Sequence, residues 1–304
     1  MAKKQKDIII ANPMYDVVFK LLMADKDIAR YFVGTVLGEE IIDMDFAPQE
    51  YSYEKQIQTE NQIKKISTIR LDFVATIRTK DDAEKKILIE LQQSPEPYDI
   101  FRFRTYIGEQ YINKNNIVAT DDKLVKVMPI VAIYILGFEI EEVSQIAVKV
   151  KRSGYDIIDG GNMEIKNPLF EALTHDAYFL QTSRIKPEMY SDWDNCSELL
   201  KILSVFEHNY FVDKKYFKNY PYPITNKILK KMVNTLESIA ADPKTRRVMQ
   251  EEEFAALNLA FLQNALAKKD IALAQKENAL AQKDDALQKA YARIVELEKR
   301  FGLN

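Results

Sequence analysis

Cysteine is almost absent from the chain: Cys196 stands alone among 304 residues. A single thiol makes no intrachain disulfide and suits a reducing compartment. Histidine is nearly as scarce, with only His175 and His208. One cysteine and two histidines in unrelated contexts give no zinc-ligand pattern, and no thiol nucleophile with a base beside it. Excess charge is missing too. The chain has 43 basic and 46 acidic residues and a net charge of −3, so it shows no global basic signal for nucleic acid. Long apolar runs are also absent. The opening MAKKQKDIIIANP has only three apolar residues in a row, too short for a signal-peptide core. The longest apolar run, 127–138, contains Pro129 and Gly137 and falls well short of a spanning helix. These absences lead us to expect a soluble, cytoplasmic protein with no membrane partner.

What is present is an ordinary globular composition, 47% hydrophobic, in a chain long enough for about two domains. The most informative stretch is 70–93. RLDFVATI is followed by the polar RTKDDAEKK and then by ILIELQQ. Two apolar runs around a charged turn are a hairpin pattern. Asp72 and Glu90 lie symmetrically about residue 81, inside the turn, so they are expected to face each other across an antiparallel ladder. Alternation puts Glu90 and Gln92 on one face and turns Leu91 to the other. Two carboxylates this close repel unless a cation or protons lie between them. Spacing alone equally describes solvated residues at strand ends. Against that, both acids interrupt runs of Ile, Leu, Val and Phe, where a charge without a partner is costly.

Around the hairpin, Asn12 is expected as a helix N-cap with Pro13 at the first helical position. In this helix Asp16 and Lys20 are four apart on one face. A second helix is expected over about 29–37, ending at Gly38. A first strand is expected over 46–58, with a turn at 58–65. Pro95 and Pro97 end the hairpin, and a helix over 100–113 puts Arg102 and Tyr106 on one face. The run 125–138 suits a buried central strand. A less regular strand region follows over about 164–184. The order of elements suggests a mixed α/β sheet flanked by helices.

From about 197 the texture is helical. Residues 197–250 hold ten Lys or Arg against five Asp or Glu. This local surplus could attract a phosphate backbone or simply be a solvated face. Phe206, Tyr210, Phe211, Tyr216, Phe217, Tyr220 and Tyr222 could stack on bases or pack a core. The final segment repeats every seven residues: Leu266, Leu273, Leu280 and Leu287, continued by Ile294. Lysine and acidic residues fill the positions three and four after the first three leucines, so a complete coiled-coil seam is missing. A long solvated helix is expected, either single or weakly self-associating into a homo-oligomer. The expected divisions are 1–140, 141–196, 197–250 and 251–304.

Four pieces together resemble the PD-(D/E)XK nuclease family transposases, which include the Rpn recombination-promoting nucleases. NPMYDVVFKLLM is similar to that family's opening helix. LDF and IELQ match its core Asp and Glu-X-Gln. FRFRTYIGEQY is similar to its Arg/Tyr helix, and KVMPIVAIYILGF to its following strand. The likeness covers about 12–140, more loosely to about 210, and omits the C-terminal repeats. No piece is specific alone; their order and spacing together are. The resemblance implies a restriction-endonuclease-like core that cuts DNA with Mg²⁺ or another divalent cation. It implies Asp72, Glu90 and the Leu91 carbonyl as metal ligands. It puts Gln92 where the wider superfamily has lysine, and a glutamine can only hydrogen-bond. Asp16 would be an additional acid at the site or simply the partner of Lys20. Arg102 and Tyr106 would contact the scissile phosphate or brace the sheet. Three functions follow: a metal-dependent endonuclease of a mobile element, recombination or defence; a decayed nuclease fold that binds DNA or builds assemblies; and a hydrolase of another phosphate ester.

Overall fold

The structure, a computed structural model, describes residues 8–46, 55–59, 62–66, 73–93, 97–118, 126–163, 167–213 and 215–301. The chain begins with β1 (Ile9–Ala11), α1 (Asp16–Met23), α2 (Lys26–Leu37), β2 (Ile41–Phe46), β3 (Lys55–Thr59) and β4 (Gln62–Ile66). It continues with β5 (Phe73–Thr79), β6 (Glu84–Gln92), α3 (Pro97–Ile112), β7 (Ile117–Val118), β8 (Lys126–Val127) and β9 (Ile130–Leu136). Then come β10 (Ala147–Val150), β11 (Gly154–Tyr155), β12 (Asn162–Met163), α4 (Pro168–Leu173) and β13 (His175–Gln181). The last elements are α5 (Glu198–Leu203), β14 (Phe211–Asp213), β15 (Phe217–Asn219), α6 (Lys227–Ala241) and α7 (Pro243–Phe301). The chain divides into two compact units, Met1–Met249 and Gln250–Asn304.

Six of the described strands form one mixed sheet in the order β10-β13-β9-β6-β5-β2. The strands β2, β5 and β6 run antiparallel to their neighbours, whereas β6, β9 and β13 are parallel. The α3 crossover therefore joins parallel neighbours, which a short hairpin could not do. The β9 sequence IVAIYIL is nearly continuously apolar because helices cover both faces of a central parallel strand. On one face Ile87, Ile89, Ile133 and Ile135 share a core with Phe19, Phe32, Phe206 and Leu236 from α1, α2, α6 and the segment after α5. On the other face Val74, Leu88, Ile130 and Ala132 pack under Phe103, Tyr106 and Ile107 of α3.

Local chemistry sets several boundaries. Asp25 accepts from the backbone N–H groups of Asp27 and Ile28 and caps α2. Gly38 closes that helix in the left-handed conformation at φ 71°. The helix α2 thus begins at Lys26, three residues before the sequence reading starts it. The helix α1 begins at Asp16, not at Pro13. Asn12 is held elsewhere: its Oδ1 accepts from the Met14 N–H and its Nδ2 donates to the Lys215 carbonyl. A local side-chain turn replaces the helical cap expected there.

The strand expected over 46–58 is also corrected. The strand that joins the sheet is β2, which ends at Phe46, and 47–54 lie outside the described residues. The polar 58–65 stretch is largely strand, because β3 and β4 pair from Lys55↔Ile66 to Thr59↔Gln62. Pro129 has no N–H to donate and separates β8 from β9, so 125–138 is two strands rather than one. The helical reading of 197–250 misses β14 and β15, which pair with each other and, through β15, with β1. Segments 1–140 and 197–250 consequently share one core. Phe206, Tyr216, Phe217, Tyr220 and Tyr222 are buried in it, so these rings pack the core. In the second unit α7 is helical through the seven-residue repeat, and Leu266, Leu273, Leu280 and Leu287 are exposed. No helix among the described residues is long and apolar enough to cross a membrane.

Candidate active site

The β5–β6 ladder runs from Phe73↔Ile89 to Arg78↔Glu84. Its pairing is centred on residue 81, the centre used to read the sequence. The turn is tight, with Asp82 at φ 58°, and charged residues at the strand ends pair across the ladder instead of lying in a loop. Asp72 lies outside the described residues. So does the side chain of Arg102, whose backbone lies within α3.

Glu90 is 1% exposed and Gln92 5% exposed, near the C-terminal end of β6. Alternation puts both on the face shared with Leu88, beneath α3. Leu91 packs into the opposite core, as the period of two requires. Tyr106 is also buried, its ring packed in the α3 cluster. Parallel pairing sets Glu90 beside Tyr134 on β9. Burial raises the Tyr134 phenol well above its ordinary value, and the neighbouring Glu90 charge raises it further. The phenol therefore stays neutral across the physiological range. The Tyr134 ring stacks on Phe179, with centroids 4.7 Å apart and planes 1° apart, and lies 4.2 Å from Phe103 in a tilted contact.

The chain enters α1 beside this end of the sheet. Gln93 Nε2 donates to the Met14 carbonyl at 2.8 Å, and the Gly137 N–H donates to the Gln92 carbonyl at 2.8 Å. A Cβ at Gly137 would lie 3.3 Å from the Gln93 Cα, a tight approach to backbone. These contacts bring the start of α1 to the strand end that carries Glu90 and Gln92. Asp16, the first residue of α1, has its Oδ2 2.6 Å from Lys20 Nζ, which is the expected pair on one face. Among the described residues no three Asp, Glu, His or Cys side chains gather as a metal site.

Two features of this face escaped the sequence reading. Tyr134 carries the only hydroxyl in IVAIYIL, and that was the available signal. Lys86 is buried on the same face, where its Nζ donates to Thr76 Oγ1 at 2.9 Å. Burial lowers the Lys86 pKa. Nothing in the polar turn sequence marks Lys86 as buried, because only the ladder shows that it belongs to the strand. No protein-family model, no curated protein and no solved structure matches the chain.

Proposed function

We propose that the protein is a divalent-cation-dependent DNA endonuclease with a restriction-endonuclease-like core. The observation that carries this reading is Glu90, a carboxylate buried at the end of a central strand. A carboxylate placed there offers the hard oxygen donor that a divalent cation takes. The surrounding order supports the reading: helices, then the antiparallel β2-β5-β6, then α3, then parallel β9. Residues 1–140 would form the nuclease-like core, 141–196 would complete it, and 197–250 would add a basic region.

Glu90 and the Leu91 carbonyl, together with Asp72, the residue before β5 in the sequence, would hold the cation. All three offer oxygen, the donor that Mg²⁺ prefers. When bound, such a cation lowers the pKa of a water and stabilises charge on the phosphate under attack. Gln92 would orient that water by hydrogen bonding and would add no positive charge. Asp16 would add negative charge at the same strand end, and Arg102 would meet the phosphate. Tyr134, kept neutral beside Glu90, would leave the carboxylate as the only charge of that pair.

The test is supercoiled-plasmid cleavage with and without Mg²⁺. We expect nicking that needs the cation and is lost in Asp72→Ala and Glu90→Ala, with circular dichroism unchanged. Equal cleavage by both variants and the unaltered chain would sink the reading. A second reading, a silent nuclease fold that binds DNA or builds assemblies, is favoured by Gln92 and by the exposed leucines of α7. It predicts DNA binding that depends on 197–250, without cation-dependent turnover.

A further inference from the structure

Within the second unit, Gln250–Asn304, the helix α7 carries one periodic apolar stripe. Leu266, Leu273, Leu280 and Leu287 recur every seven residues and are 58% to 62% exposed. They span about 30 Å at 1.5 Å per residue. A seven-residue period keeps a stripe on one face when the helix winds slightly around a partner. The charged residues between the leucines follow the same period. A lysine stands three residues after each of the first three leucines: Lys269, Lys276 and Lys283. An acid stands four residues after each: Asp270, Glu277 and Asp284. All six side chains are exposed. With 3.5 residues per turn, positions three and four after a leucine lie about 50° to either side of it. The lysines therefore form a row along one flank of the stripe, and the acids form a row along the other. Ala272 and Ala279 lie beyond the lysine row, and Ala274 and Ala281 beyond the acid row, so small side chains border the face.

A face with positive charge on one flank and negative charge on the other complements itself in one orientation. Two parallel helices related by a two-fold axis along their length bring opposite flanks together. The lysine row of each then runs beside the acid row of its partner. Two antiparallel helices bring like flanks together, so lysines face lysines and acids face acids whatever the register. Such like-charge contacts select against that arrangement. Singly these exposed pairs add little affinity, so their part is to choose the orientation while the leucines supply the contact. Beyond Leu287 the two flanking positions hold Ala290 and the exposed Tyr291. The parallel arrangement sets each of these rings beside an alanine of the partner, large against small. The three lysines and three acids cancel, so the face offers no net attraction to a phosphate backbone.

We propose that the 266–287 face of α7 pairs with the same face of a second copy, parallel and in register, as a two-fold helical dimer. Leucine meets leucine at four layers. A slip of one repeat gives up a leucine layer and part of each charged row, which fixes the register. The contact uses the same patch on both chains and closes as a symmetric pair. It stands apart from the endonuclease reading, because it uses no residue before 266.

The test uses the full chain. Sedimentation equilibrium should show a dimer whose dissociation constant rises with salt. Lys269→Glu, Lys276→Glu and Lys283→Glu together should raise that constant about tenfold or more. Asp270→Lys, Glu277→Lys and Asp284→Lys together should do the same, and an equimolar mixture of the two triple variants should restore the dimer. Orientation is read from disulfides. A Leu266→Cys chain and a Leu287→Cys chain, both carrying Cys196→Ser, are mildly oxidised alone and as a mixture. We expect each chain to cross-link to itself, and the mixture to add no link between the two positions. A monomer at all concentrations overturns the proposal. A cross-link that forms only in the mixture means an antiparallel pair and also overturns it. A dimer that neither triple variant weakens places the association elsewhere and overturns it as well.

Discussion

His208 is held inside the first unit, with Nε2 3.0 Å from Thr182 Oγ1. Burial, then the charges of Lys218 and Lys215, push its pKa down to about 4. The unfolded chain takes up that proton near 6.5, before the folded chain does. Stability is therefore intact above about 6.5 and declines as pH falls toward 4, by at most on the order of 3 kcal/mol. Urea unfolding at pH 7.5 and pH 4.5 should show this loss, and His208→Gln should shrink it. Lys218 is itself 1% exposed, and its Nζ donates to the Glu207 and Ser204 carbonyls at 2.5 and 3.3 Å. Burial brings its pKa down to about 7, so it is charged when His208 titrates. Lys218→Met should consequently move the His208 midpoint upward. The chain has only two histidines, so proton NMR can follow each ring separately. At Glu90, replacement by glutamine keeps the shape and removes the charge. We expect plasmid cleavage to fall about a hundredfold or more. The Tyr134 phenol should then titrate at lower pH, because one of its two causes is gone. A fall in cleavage with no change at Tyr134 would argue that the two side chains are independent.

Among the elements, α2 gives the clearest tests. Alanine normally stabilises a helix interior relative to glycine by roughly 0.5–1 kcal/mol. Gly34 should reverse that sign, because its Cβ would lie 2.8 Å from the Glu39 carbonyl oxygen, which is backbone and cannot turn aside. Thermal unfolding of Gly34→Ala should show a lower midpoint. Asp25→Ala removes the cap of α2 and the 2.7 Å contact with Lys231, and should cost about 1 kcal/mol. Elements with a strong local signal could be read from sequence. The end of α2 at Gly38, the β5–β6 hairpin with its register, and the apolar β9 are of this kind. Short strands paired across long separations could not. IIA, FVD and FKN carry no period, and only their mutual pairing makes Ile9–Ala11, Phe211–Asp213 and Phe217–Asn219 strands. The site divides in the same way. Alternation gave the common face of Glu90 and Gln92, whereas Tyr134 needed the parallel register, which no local pattern encodes.

Across the whole chain, the exposed leucines of α7 call for a mass measurement. Each of Leu266, Leu273 and Leu280 is followed by a lysine and an acid that interrupt a full apolar seam. We expect weak self-association, lost when Leu273 and Leu280 are both changed to aspartate. Sedimentation over a range of concentrations would show it, and an unchanged mass would mean that α7 is a lone helix. The pairing of β1 with β15 has a consequence for synthesis. Asn12 Nδ2 reaches a carbonyl 203 residues further along the chain. At about 5–20 residues per second, the ribosome takes on the order of 10–40 s to supply that partner. Throughout this interval the apolar IIA and the first helix have no finished core to enter. A nascent chain stalled before residue 217 should therefore be captured by chaperones or cut by proteases, and release from capture should coincide with the emergence of Phe217–Asn219.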